Sequence, residues 1–176
     1  PDGGMGIGLG GFQSDKLRLS TNDLLTVVNA ANILLESVNG ITLLGDLNIK
    51  SMIIPLTISA NTFNMVNDIG VTVTTMELGG GLDFSDTTIS VPDALVIDID
   101  GAFAMNGALS ATEAVSIVAG MGITMGALSS IETTNDAITL TSGINNINLG
   151  LLNAGTGAVE ITATAGDILN NNGVFA

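Results

Sequence analysis

Asp98 and Asp100, in the run VIDID, stand two residues apart and would share one face of a strand. Two carboxylates so placed are the raw material of general acid–base chemistry, and some sugar hydrolases built on β-helices use paired acids in this way. Asp83, Asp86 and Asp93 precede them and are within reach if the chain doubles back by one coil. The same oxygens are hard ligands of the kind that calcium prefers. Residues 79–86, GGGLDFSD, resemble the Gly/Asp nonapeptides that hold calcium in β-rolls. That pattern occurs once, whereas such sites need tandem copies to complete the oxygen shell. Asp83, Asp86, Asp98 and Asp100 are therefore the calcium candidates, and no other cofactor is expected. The competing reading of these acids is a solvated, charged strand face.

A third chemistry lies in outward hydroxyls. Thr57/Ser59, Thr72/Thr74, Thr139/Thr141 and Thr162/Thr164 fall at strand spacing. A flat array of threonines is one way a β-solenoid can bind ice, although threonine is also a good exposed strand residue in its own right. Here Asp98/Asp100 and Ser116/Val118 interrupt the array.

Other chemistries are excluded by residue type. The chain has 176 residues with no Cys, His, Trp or Tyr. Zinc sites and thiolate nucleophiles as normally built are out of reach, and so are aromatic platforms for sugars. Seventeen acids face three bases, for a net charge of −14, and the bases are Lys16, Arg18 and Lys50. Nucleic acid needs a basic footprint, and anionic lipid attracts only cations. Neither is expected as a partner. The seven methionines sit at alternating positions and read as core fillers rather than a cofactor box.

The elements that must position these residues are strands. Residues 114–131 are long and uncharged enough to raise the question of a membrane span. Their apolar residues alternate, however, from Val115 and Ile117 to Ile123 and Met125, and acids flank them. No membrane insertion is expected. The same alternation recurs along the chain in three series. One runs through Leu17/Leu19, Leu56/Ile58, Val71/Val73, Leu95/Ile97/Ile99, Val115/Ile117, Ile138/Leu140 and Val159/Ile161. A second holds Ile41/Leu43, Phe63/Met65, Leu82/Phe84, Phe103/Met105, Ile123/Met125, Ile147/Leu149 and Ile168. A third, weaker series holds Leu47/Ile49, Ile89/Val91, Leu109, Leu128/Ile131 and Leu151/Leu152.

Each series returns about every 20 residues, the spacing of solenoid coils. The fold expected is all-β: a parallel β-helix, or β-solenoid, with three strands per coil. Asn-Gly and similar pairs between the runs supply the corners, since both residues tolerate left-handed backbone. Residues 21–38 are the exception, because Leu24, Leu25, Val28, Ala31, Ile33 and Leu35 are also spaced for an amphipathic capping helix.

Two units are expected. Residues 1–14 are a Gly-rich arm or assembly segment, and residues 15–176 are one solenoid domain. The chain opens at Pro1 with no basic-then-apolar leader to be seen, which is no argument for the cytoplasm. Solenoid ends carry unpaired backbone groups, and the chain closes in NNNGVFA. End-to-end or side-by-side self-association is the expectation, with Met5, Ile7, Leu9, Phe12, Val174 and Phe175 as interface candidates.

Residues 136–169, DAITLTSGINNINLGLLNAGTGAVEITATAGDIL, carry a family pattern. An x-I-T-L-T strand is followed by an I-x-L-G-x-L-N-A-G corner and strand, then by G-A-V-x-I-T-A. This resembles the repeats of filamentous haemagglutinin-like adhesins and related large bacterial surface proteins. The resemblance implies a parallel β-helix, bacterial export and a cell-surface or extracellular role, with a host surface or polysaccharide as ligand. It brings no catalytic residues. The secretion domain of that family, with its Asn-Pro motifs, is not recognisable here. The expected function is that of a secreted, non-enzymatic structural protein, a subunit or segment of a surface fibre. The alternatives are a polysaccharide-acting enzyme using Asp98/Asp100, and a calcium- or ice-binding module.

Overall fold

A computed structural model describes residues 7–9, 17–19, 31–37, 40–44, 47–51, 53–66, 73–85 and 87–171. Two strands, β1 (Ile7–Leu9) and β2 (Leu17–Leu19), precede the coils. The first coil holds β3 (Ile33–Ser37), β4 (Ile41–Leu44) and β5 (Leu47–Ile49). The second holds β6 (Leu56–Ala60), β7 (Thr62–Val66) and β8 (Val73–Leu78), and the third β9 (Leu82–Ser85), β10 (Thr88–Val91) and β11 (Ala94–Ile99). The fourth holds β12 (Phe103–Met105), β13 (Ala108–Ala111) and β14 (Val115–Ala119). The fifth holds β15 (Ile123–Met125), β16 (Ser130–Thr133) and β17 (Ile138–Ser142). The sixth holds β18 (Ile147–Leu149), β19 (Leu151–Asn153) and β20 (Val159–Ala163), after which β21 (Ile168–Asn170) begins a further turn.

Strands of like position stack in parallel to make three faces. The first is the seven-stranded sheet β3-β6-β9-β12-β15-β18-β21, and the third is the six-stranded sheet β5-β8-β11-β14-β17-β20. The second is eight-stranded, because β1 and β2 extend it past the first coil in the order β2-β1-β4-β7-β10-β13-β16-β19. The protein is thus an all-β solenoid of about six turns, with roughly 21 residues per turn. No described residue is helical. Ile33 and Leu35, candidates for a capping helix, lie in a strand that buries them and exposes Leu34 between them. Residues 20–30 lie outside the described residues. No helix among the described residues is long and apolar enough to cross a membrane.

Alternation drives this architecture. In β11, Leu95, Ile97 and Ile99 are buried while Val96 and Asp98 face outward. A coil cannot cover its own inner residues, so each stacks on the next in register: Leu95 on Val115, Val115 on Ile138, Ile138 on Val159. The result is one continuous core. Burying an aliphatic side chain of this size contributes about 1.5–3 kcal/mol. Phe63, Phe84 and Phe103 stack inside the lower coils, with ring centroids 5.3 Å and 6.2 Å apart and tilted planes, the arrangement that ring quadrupoles favour.

Corners close with small residues and buried hydroxyls. A Cβ on Gly101 would run into the backbone of Gly80 and Gly81 one coil below. Thr87, fully buried, takes the N–H of Ala60 at 3.2 Å and lies within hydrogen-bond reach of the Ile58 and Ser85 carbonyls. Left-handed backbone occurs at Asn135 (φ 61°) and Gly155 (φ 57°). Asparagine side chains tie coil to coil, some of them through the backbone. Asn135 accepts from the Thr156 N–H at 3.1 Å, and Asn146 accepts from the Asp167 N–H at 2.9 Å.

The register corrects the three expected series below residue 80. Leu17/Leu19 and Leu56/Ile58, grouped with Val115/Ile117, lie on the second and first faces respectively, whereas Val115/Ile117 lie on the third. Ile41 and Phe63 move from the first face to the second, and Leu47/Ile49 from the second to the third. The cause is an uneven turn. Asn48 and Glu77 are register partners 29 residues apart, whereas Pro92 and Thr112, bonded across one turn higher up, are 20 apart. In β8 the phase is also reversed. Met76 and Leu78 are the buried residues, and Thr74 takes the register position of buried Leu95, with Val73 at that of part-exposed Ala94. Leu128 is no core residue either, at 97% exposed in a turn.

Candidate functional site

The paired acids come together, and with a base that sequence did not connect to them. Asp98 ends the outward face of β11, and Asp100 follows at the corner. Lys50, just after β5, reaches past β8 to both. Its Nζ lies 2.9 Å from Asp98 Oδ1, 3.1 Å from Asp100 Oδ1 and 3.2 Å from the Asp98 carbonyl oxygen. Beside it, the Asn48 amide donates to Glu77, the register neighbour of Asp98. Burial alone would lower the pKa of Lys50. Its hydrogen bonds to Asp98 and Asp100, with their negative charge, outweigh that and hold it above its ordinary value of 10.5.

This arrangement is a clamp. One ammonium bridges two carboxylates, one of which, Asp98, the parallel register sets beside Glu77, and like charges so placed repel. Both acids are solvated, with Asp98 45% and Asp100 62% exposed at the side chain. They lie on a flat face and a corner, engaged by the same cation.

A groove of about 530 Å³ runs along the corner between the third and first faces. Ile53, Met121, Gly80 and Gly101 line it, with Thr57, Asp83 and Asp100 among its polar groups. Thr57 is already engaged with the side chain of Asn32 at 2.9 Å.

Of the calcium candidates, Asp98 and Asp100 come together and Asp83 lines the same groove as Asp100. Among the described residues no three acids gather. Asp83 is on β9, Asp98 on β11, and Asp86 lies outside the described residues. The glycines of residues 79–86 serve the corner instead, since a Cβ on Gly80 would strike the Ile54 carbonyl. Nor do the hydroxyl pairs share one face. Thr57/Ser59 lie on the first face and Thr139/Thr141 on the third, while Thr72 lies outside the described residues.

Of the assembly candidates, Met5, Phe12, Val174 and Phe175 lie outside the described residues. Ile7 and Leu9 form β1, which is paired on one edge with β4 and on the other with β2, so among the described residues β2 stands last at this end of the second face.

At the other end, the last described coil is less covered than the coils below it. Val159, Ile161 and Ile168 occupy the register positions of Ile138, Leu140 and Ile147, all fully buried. Yet Val159 is 45% and Ile168 49% exposed, and Ile161 is only partly buried. Leu151 and Leu169 are exposed beside them. Val159, Ile161 and Ile168 thus carry the core columns into the last described turn.

Comparison of the chain with protein-family models, with curated proteins and with solved structures returns no match.

Proposed function

We propose that the chain is a secreted, non-catalytic structural element, a segment or subunit of an extracellular surface fibre of the adhesin type. The observation that carries this reading is the continuous core. From Ile33 to Ile147 each turn's inward residues pack on the turns above and below. The polar groups best suited to chemistry are engaged in holding turns together, as with Lys50 on Asp98 and Asp100. Repetition of one coil suits a device that sets length and presents flat faces at a distance. Six turns at the spacing of paired strands give a rod about 30 Å long. The segment that resembles haemagglutinin-like repeats, residues 136–169, begins just before β17 and runs through β20 into β21 as regular coil.

The test is location. Antibodies raised against the purified chain should label intact, unpermeabilised cells of the source organism. Labelling only after permeabilisation would sink the reading.

A further inference from the structure

We infer that the groove at the corner between the third and first faces is a docking site for a basic segment of a partner protein, one in which an arginine or lysine is flanked by apolar residues. This goes beyond the structural reading and does not depend on where the chain is located.

The groove is a gap in a ridge. The corners that lead into β6, β15 and β18 carry Ile53, Met121 and Ile144, all of them exposed. Between Ile53 and Met121, the corners that lead into β9 and β12 are Gly79-Gly80-Gly81 and Gly101-Ala102. Two successive turns therefore lack the projecting side chain. The backbone contacts that leave no room for a Cβ at Gly80 and Gly101 keep those positions bare. Ile53 and Met121, from the turns on either side, line the groove together with these glycines.

The lining selects the ligand. It is mostly apolar, two of its few polar groups are the acids Asp83 and Asp100, and no lining residue is a base. Lys50 meets Asp100 at Oδ1 but shares its charge with Asp98. Residues 51–176 hold twelve acids and no base, so the surrounding field also favours a cation. An anion finds little here. The Leu82 N–H is bonded to the Ala102 carbonyl at 2.9 Å and the Gly101 N–H to the Gly80 carbonyl at 3.1 Å, so neither is turned toward a ligand. A metal ion finds too few oxygens, since among the described residues no three acids gather. A cation with an apolar body meets both conditions. Its stem and its neighbours lie against Ile53 and Met121, and its charge is set beside Asp83 and Asp100. The volume of about 530 Å³ is within the range of ligand sites, about 300–1,000 Å³, and exceeds one side chain. The fitting occupant is therefore a short segment rather than a lone ion.

The test is a titration of the isotope-labelled full chain, followed by amide NMR, with two capped tripeptides, acetyl-Leu-Arg-Leu-amide and acetyl-Leu-Glu-Leu-amide. The arginine peptide should shift the amides of Gly80, Gly81, Gly101 and Ala102, and the glutamate peptide should leave them in place. Raising NaCl from about 0.05 M to about 0.5 M should weaken binding, because the charges are partly exposed. The double variant Asp83→Asn/Asp100→Asn should lower affinity at least about five-fold. Ile53→Ser, which leaves both acids alone, should lower it at least about two-fold through lost apolar contact. Glu160→Gln/Asp167→Asn removes the same charge far from the groove and should change affinity by less than that. Four results overturn the inference: no shift with the arginine peptide, equal binding of both peptides, shifts that centre elsewhere, or a remote double variant that binds as weakly as the groove variant. The last would mean general attraction to an acidic protein. None of these outcomes touches the cell-surface test, which bears on the structural reading alone.

Discussion

Leu140 and Ile161 are neighbours in one column of the third face, on strands with the same apolar alternation, ITLTS and VEITA. Leu140 is fully buried and Ile161 is not. The difference lies in what stands above each. In a solenoid the burial of a residue is set by its place in the stack as much as by its own strand, so the same local pattern is core in one turn and surface in the next. Stability should follow the same rule.

The largest effect should come from testing that pair. Leu140→Ala removes side-chain volume from between two turns and should cost about 2–5 kcal/mol. Ile161→Ala should cost less than half as much in the monomer, since its site is already open. Urea unfolding of both variants measures the contrast, and equal costs would show that the last turn is covered.

Next in size is a corner. Gly101→Ala puts a methyl group against the Gly80 and Gly81 backbone. Overpacking of this kind costs about 1–3 kcal/mol. The reverse change at the exposed neighbour, Ala102→Gly, should stay well under that in the same assay.

The smallest effect belongs to the clamp. Lys50 is 34% exposed at its side chain and its partners more so. Lys50→Met should therefore cost less than about 1 kcal/mol near neutral pH. The pH dependence has a definite sign. The folded pKa of Lys50 is raised, so its contribution is fully present below 10.5 and is lost as pH climbs through the raised value. The parent and Lys50→Met curves should differ by a constant amount from pH 7 to 10 and then converge.

Much of this fold was legible because a strand's alternation is local. Val115, Ile117, Ile123 and Met125 announce their strands within a dozen residues, and the structure buries all four. Legibility failed where the information is not local. The long second turn shifted every face assignment below it, since no residue near Leu56 records how far away Leu82 will stack. In β8, Val71/Val73 pointed to one phase, and Met76 with Leu78, buried against the next coil, set the other. Ile33 and Leu35 satisfied both a helical and a strand spacing until a neighbour, β6, supplied the pairing. The site followed the same division. That Asp98 and Asp100 act together could be read from their spacing, but their partner is 48 residues from Asp98 and two coils away. Lys50 carried one clue, as the single base between Arg18 and the end of the chain.

The parallel ladders also determine how the molecule would answer a pull. Every bond between turns runs along the long axis, so tension on that axis loads the turns in series, and the outermost must yield first. A turn that peels releases roughly 21 residues of chain, about 70 Å when drawn out, in exchange for a strand spacing of about 4.8 Å. Such a rod would lengthen in discrete steps under load, and each step would take up work that would otherwise reach the point of attachment.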